Sequence, residues 1–371
     1  MAYSTDTRTL QPGDIFIPVK GEHFDGHDFI AEAKRKGAGQ ILDVDLGEFS
    51  AQHRQKYNIP VIAVTGSSGK TTTKDLLAAV LGQKYKLVKS SENQNNEIGV
   101  PLTLLKIDET TELAVVEMAM RGAGQIAYLA KLAAPTHAII TNIGWTHIEL
   151  LGSRDNIAQA KAEVIRPGMT IFLNEQDDYF KFLRRTAHER SAQVISFHSP
   201  KIQDINQAAV TAIAKYFGLT AGQIAQGLQQ YQSSPHRQKI LTRGEITVID
   251  DTYNANPDAL HFALQVLRET PAQRRIAVLG DMLELGAWAE TLHKQVATGG
   301  IDLVYTYGAL AQNIPHQEHF TDKAELTAKL KATLRAGDAV LVKGSRAMQM
   351  ETIVREITTP ENIIGGAKSI A

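Results

Sequence analysis

The chain has 371 residues, too many for one ordinary hydrophobic core, so more than one domain is expected. Lys and Arg total 39 against 40 Asp and Glu, and a net charge of −1 gives no electrostatic footprint for nucleic acid or an anionic membrane. There are no cysteines, which excludes disulfides, thiolate metal sites and a cysteine nucleophile. Residues Met1 to Leu10 lack the apolar centre of a signal peptide, and no stretch reaches the roughly 20 apolar residues of a spanning helix. A soluble, cytoplasmic protein is expected.

Strand-like and helix-like segments alternate along the chain, separated by Gly and Pro, which predicts an α/β fold. Residues 1–59 read as a small unit: a strand over Asp14–Val19, a helix over Phe29–Lys36 and a strand over Gln40–Val44. Tyr57-Asn58-Ile59-Pro60 marks a boundary. Residues 60–235 read as a parallel-sheet domain, with strands at Val61–Thr65, Ala114–Met118, His137–Thr141, Thr170–Leu173 and Val194–Phe197. Its helices are Lys70–Leu81, Ile126–Ala133, one opened by Ser153 as N-cap and running to Ile165, and the pair Ile205–Phe217 and Ala221–Tyr231. Residues 236–371 read as a third α/β unit. Strands are predicted at Thr247–Asp250, Ile276–Leu279, Leu303–Tyr305 and Ala339–Val342, with helices near 257–268, 287–297, 322–334 and 346–356. Asn256 before Pro257 has the pattern of an N-cap followed by a first-turn proline.

Thr65-Gly66-Ser67-Ser68-Gly69-Lys70-Thr71 follows a strand and opens a helix, the context a phosphate loop requires. Its glycines let backbone N–H groups face phosphate oxygens, and the helix N-terminus adds partial positive charge. Lys70 is expected at the β- and γ-phosphates and the Thr71 hydroxyl on Mg²⁺. The longer form of the motif has glycine at position 64, where this chain has Val64. Glu117 ends an apolar strand at the edge where α/β sheets bind ligands, which favours a Mg²⁺ role over that of a solvated strand end. His147 follows the next strand and is expected over the same edge. Lys161, taken alone, is an ordinary helix lysine.

These blocks carry a resemblance. Thr65–Thr73, Asn93–Pro101, Glu117–Ala119, Asn142–Glu149 and Ala160–Glu163 resemble the Mur ligase family, in chain order. So do Ser234–Arg237, Asp250–Pro257, Leu279–Gly286 and Val342–Arg346, and Pro12–Phe16 and Asp25–Phe29 in the first unit. The likeness is strongest to the branch that adds D-alanyl-D-alanine. It implies a three-domain architecture: a nucleotide-sugar domain, a central P-loop ATPase domain and a Rossmann-like third domain that closes over both. It implies an ATP-dependent amide ligase working through an acyl phosphate in peptidoglycan precursor synthesis. The substrates would be a nucleotide-sugar peptide and D-alanyl-D-alanine, and the protein a monomer.

Residue by residue, the resemblance implies Mg²⁺ on Thr71, Glu117, His147 and Lys161, the last carbamylated by CO₂. Lys70, Glu117, His147, Lys161 and Arg237 would serve catalysis. ATP would contact Gly66, Ser67, Ser68, Gly69, Lys70, Thr71, Thr72, Asn142, Asp251, Tyr253, Asn254 and Asn256. Asn95, Asn96, Lys343, Ser345 and Arg346 would meet the other substrates. The chain departs from the family pattern by being short: little precedes Asp6-Thr7-Arg8, the stretch from Ala38 to Pro60 is compressed, and Ser196–Ala209 retains only Asp204-Ile205-Asn206 of a longer insert. Two other readings stay open, a related ligase for a different carboxylate and amine, and a nucleotide-binding paralogue without catalysis. A simple P-loop hydrolase would leave the third domain without a task.

Overall fold

The computed structural model describes residues 2–21 and 24–359; residues 360–371, which end the expected third unit, lie outside the described residues. Among the described residues, three sheets follow one another along the chain. The first is small and parallel, made of β1 (Tyr3–Ser4), β2 (Ile15–Phe16) and β3 (Gln40–Ile41). The sequence predicts longer strands at the last two places. Pro18 has no N–H to continue a ladder beyond β2. The helix Leu46–Gln55, capped by Asp45, fills the stretch that reads as a bare link in the sequence.

The central sheet is six-stranded and parallel throughout, in the order β5-β6-β4-β7-β8-β9. Its strands are β4 (Val61–Thr65), β5 (Leu87–Lys89), β6 (Leu113–Glu117), β7 (His137–Ile140), β8 (Thr170–Asn174) and β9 (Gln193–Phe197). Buried on both faces, β4 and β6 are continuous apolar runs rather than alternating ones, as parallel strands covered by helices must be. Val61 and Ala63 pack into one core, Ile62 and Val64 into the other. The predicted helix Lys70–Leu81 forms, and Ser153 caps Arg154–Ala162 by accepting from Asn156 N. The helices Gly99–Leu104 and Phe180–Glu189 and strand β5 are additions to the sequence reading.

The third sheet has the order β10-β11-β15-β12-β13-β14, with only β10 antiparallel. It contains β10 (Lys239–Arg243), β11 (Ile246–Asp251), β12 (Arg274–Gly280), β13 (Leu303–Tyr307), β14 (Glu318–Phe320) and β15 (Asp338–Lys343). Asn256 accepts from Ala259 N and Pro257 opens the helix to Glu269, as predicted. The helices expected near 287–297 and 346–356 each split, into a 3₁₀ turn and a short α-helix: Gly286–Trp288 then Ala289–Lys294, and Arg346–Met348 then Glu351–Thr358. One buried cluster runs from Val61 and Ala63 to Ile249, Ala277 and Leu279, so the central and third units share apolar packing. Among the described residues, no helix is long and apolar enough to cross a membrane.

Candidate active site

β4 lies between β6 and β7, so the chain leaves β4 for neighbours on both sides. The crevice at the carboxyl ends of such strands is where open α/β sheets take ligands. Three loops meet there: Gly66–Gly69 after β4, Met118 onward after β6, and Thr141–His147 after β7. Gly66 and Gly69 have φ of +144° and +78°, conformations that a side chain disfavours. The loop is braced from behind. Ser68 N donates to Asn142 Oδ1 (2.8 Å), Ser67 N to Asn142 O (3.0 Å), and Gly144 N to Ser67 Oγ (2.8 Å). Lys70 Nζ donates to the carbonyls of Gly66 (2.8 Å) and Ser67 (3.2 Å). Burial lowers its pKa, an effect that Glu117 opposes and Arg237 reinforces.

Thr71, first in the helix after Lys70, points its hydroxyl at the buried Glu117 carboxylate (2.9 Å), which also accepts from Asn95 Nδ2 (2.8 Å). No group of three or more His, Asp and Glu side chains converges on a cation position among the described residues. The Glu117–Thr71 pair nevertheless fits Mg²⁺, which takes one or two protein oxygens and completes its octahedron with water and phosphate oxygens. His147 adopts the left-handed conformation (φ 63°), and its Nδ1 lies 2.9 Å from the Glu284 carboxylate of the third unit. Lys161 is 2% exposed, and no hydrogen bond or ion pair involves its amine among the described residues. Burial holds its pKa well below the ordinary lysine value, and the nearby Lys70 charge pushes the same way.

The third unit brings its own loops to the same place. Ser68 Oγ donates to Asn256 Oδ1 (3.1 Å), and Asn256 Nδ2 donates to Thr146 Oγ1 (3.1 Å). Lys343, buried at the end of β15, donates to Asp251 Oδ2 (2.6 Å) and to Asn254 O (2.9 Å). Burial raises the Asp251 pKa, and Lys343 pulls it back. The Arg237 guanidinium stacks 3.7 Å from the centre of the Tyr253 ring.

These residues surround one cavity of about 1520 Å³. Its walls include Ser67 through Thr72, Asn95, Asn96, Glu117, Asn142, His147, Arg237, Asp251, Tyr253, Asn254, Asn256 and Lys343. Four of the residues named from the sequence stand apart from its lining: Gly66, Lys161, Ser345 and Arg346. Lys161 lies buried in the helix Arg154–Ala162. Ser345 is occupied within its own unit, accepting from Leu283 N (2.8 Å), and the Arg346 side chain is exposed and paired with Glu351 (3.1 Å). Residues that sequence reasoning passes over also line the cavity, among them Asp177, Asn206, Asp258 and Glu284. Asp177 accepts from Ile143 N (2.8 Å) and Asp258 from Trp145 N (2.9 Å), so two partly buried carboxylates hold the His147 loop. Glu284 stands inside the Leu279–Gly286 block and Asp258 directly follows the Asp250–Pro257 block; what hides them is that their partners are distant along the chain.

The chain matches the Mur ligase middle domain over residues 64–231, the Mur ligase glutamate ligase domain over 236–346 and the Mur ligase family catalytic domain over 2–83. It is 34% identical to the UDP-N-acetylmuramoyl-tripeptide–D-alanyl-D-alanine ligase of Bacillus subtilis, covering 95% of this chain and 92% of that one. The alignment spans 426 positions, more than the chain has residues, so that relative carries stretches without a counterpart here. The ligase of the same name from Escherichia coli is 33% identical over 96% of this chain and 93% of its own length. Among solved structures, MurF from Acinetobacter baumannii superposes with a TM-score of 0.87 at 28% identity, covering 96% of this chain and 93% of that one. MurF from Thermotoga maritima in complex with ADP gives 0.85 at 27%, covering 96% and 97%.

Proposed function

The chain belongs to the Mur ligase family, and on that premise we propose that it uses ATP to join D-alanyl-D-alanine to UDP-N-acetylmuramoyl-tripeptide. The observation that carries this reading is the meeting of Asn256 with Ser68 and Thr146. Through it, a loop of the third unit completes the wall of the phosphate-loop cavity. A hydrolase needs no such wall, whereas a ligase must shield an acyl phosphate from water.

In this scheme a carboxylate oxygen of the tripeptide attacks the γ-phosphorus as the bond to the ADP oxygen breaks. Lys70 and the loop amides from Ser67 to Thr72 stabilise the negative charge on the transferred group, the main task in phosphoryl transfer. Mg²⁺, held by Thr71, Glu117 and His147, would neutralise charge on the β- and γ-phosphate oxygens. The amine of D-alanyl-D-alanine then adds to the acyl carbonyl and gives up a proton to solvent or to the departing phosphate, and the C–O bond to phosphate breaks. Asp251, Tyr253, Asn254 and Arg237 hold the nucleotide from the third unit. Asn95 and Asn96 face the tripeptide, Lys343 stands on the side from which the amine arrives, and Ser345 and Arg346 act on that side from outside the lining, through Ser345 Oγ donating to Ala255 O and Arg346 N to Asn254 Oδ1.

Lys161 carries a carbamate in this reading. Its burial and its lack of a partner among the described residues support that assignment, because a neutral amine can add to CO₂ and lose a proton to become an anion. The new carboxylate would give Mg²⁺ a further oxygen, or anchor waters around it. This reading assigns the reaction to the cytoplasm; the absence, among the described residues, of a helix long and apolar enough to cross a membrane is compatible with it. One chain supplies every loop of the cavity, so a monomer suffices.

The test is ATP-dependent phosphate release with UDP-N-acetylmuramoyl-tripeptide, with and without D-alanyl-D-alanine, followed by the mass of the product. Release requiring both, with the amide product present, is expected. ATP binding without release would move the assignment to another carboxylate and amine, or to a paralogue without catalysis.

A further inference from the structure

Two residues of the cavity wall share an unusual feature. His147 has φ +63° and Glu284 φ +64°, both in the left-handed region that non-glycine residues rarely occupy. They come from different units, and their side chains meet: His147 Nδ1 is 2.9 Å from Glu284 Oε2. Strained residues cluster where the surrounding structure fixes a functional contact. The surroundings here do fix it. Trp145, two residues before His147, and Trp288, four residues after Glu284, pack with ring centres 5.4 Å apart. Gly286 has φ +51°, and a side chain there would crowd Glu149 at 3.1–3.3 Å, so the two backbones approach closely only because Gly286 is glycine. Asp258 of the third unit anchors the same loop through Trp145 N.

A carboxylate only accepts hydrogen bonds, so the proton of the neutral imidazole sits on Nδ1 and the lone pair on Nε2. Carboxylate–histidine pairs of this kind orient metal-binding imidazoles. We propose that Glu284 is a positioning residue: reaching from the third unit, it fixes the tautomer and ring orientation of His147, so that the cation site is complete only when the third unit is seated on the central one. This rests on the reading of His147 as a Mg²⁺ ligand given above. It makes Glu284 the part by which domain docking is sensed at the metal.

Mn²⁺ binding in the presence of the non-hydrolysable analogue AMP-PNP, followed by electron paramagnetic resonance, tests this without either ligase substrate. A wrong assignment of those substrates therefore does not affect the outcome. Glu284 is half exposed at its side chain, so its replacement leaves folding intact, checked by the thermal unfolding midpoint. E284A is expected to weaken Mn²⁺ affinity about 10- to 100-fold, the usual effect of losing such a partner. E284Q, which can still accept from Nδ1, should recover most of that loss. In an H147A background E284A should add nothing, since its action runs through the ring. An unchanged Mn²⁺ affinity in E284A, or equal additional losses in the wild-type and H147A backgrounds, would overturn the proposal.

Discussion

The buried pair at the end of β15 gives the sharpest energetic prediction. Lys343 is 2% exposed and donates to Asp251 Oδ2 at 2.6 Å; among the described residues the other donor to that carboxylate is Gln238 N at 3.2 Å. Replacing Lys343 with Met keeps the volume and removes the charge. Asp251, whose pKa burial already raises, is then left with a single neutral donor. Breaking a buried pair by removing one partner costs about 3–5 kcal/mol. Protonation of Asp251 limits the loss at low pH. In K343M its folded-state pKa stands above the unfolded value near 3.8, so the folded form binds protons more tightly and stability falls as pH rises through that interval. The variant should therefore lose more at pH 8 than at pH 5. K343M/D251N, with no charge left to bury, should recover most of the stability. The assay is urea unfolding in a W145F background, where Trp288 is the only tryptophan and reports on the third unit. A cost below about 1 kcal/mol at pH 8, or a loss that D251N does not relieve, would refute the reasoning.

Other consequences are direct. G66A should abolish nucleotide binding by calorimetry, because a methyl group there would run into Thr141 Oγ1 and approach Asn142 N at 3.1 Å, at a φ of +144°. K70A should cut phosphate release at least about a hundredfold, the scale on which single charge-stabilising donors act; near-normal turnover would sink the scheme. D258N keeps the acceptor for Trp145 N but removes a carboxyl whose pKa burial raises. A raised carboxyl pKa withdraws stability as pH climbs through it, so the thermal midpoint of D258N relative to wild type should increase from pH 4 to pH 7. A constant difference would contradict that sign.

The periodic and punctuated parts of the chain are legible in the sequence because they are decided locally. Val61–Thr65, Gly66, Gly69 and the helix from Lys70 follow from an apolar run, positive-φ glycines and a good helix former; Asn256 and Pro257 announce their helix by capping chemistry. Edge elements are not so marked. β10 leaves Ile240 65% exposed, so its apolar pattern does not match burial, and β5 and β14 have three residues each, too few for a period to show. The helix Leu46–Gln55 lies in a polar stretch and is fixed by packing against Gly99–Leu104 and Gln125–Ala133.

The division is the same at the site. By itself the sequence determined that a glycine-containing loop joins β4 to a helix, that Glu117 ends β6, and that Asn254 and Asn256 precede a helix in the third unit, since each is a matter of residues adjacent in the chain. Only the tertiary structure decided that Asn256 meets Ser68, that Lys343 pairs with Asp251, that Lys161 is buried with no partner among the described residues, and that Glu284 meets His147. Those contacts join residues from 92 to 188 positions apart wherever the bond is between side chains of two elements in these first two pairs. No local preference encodes such a separation; it arises when two sheets, each ordered by its own crossovers, are brought together by the apolar core they share.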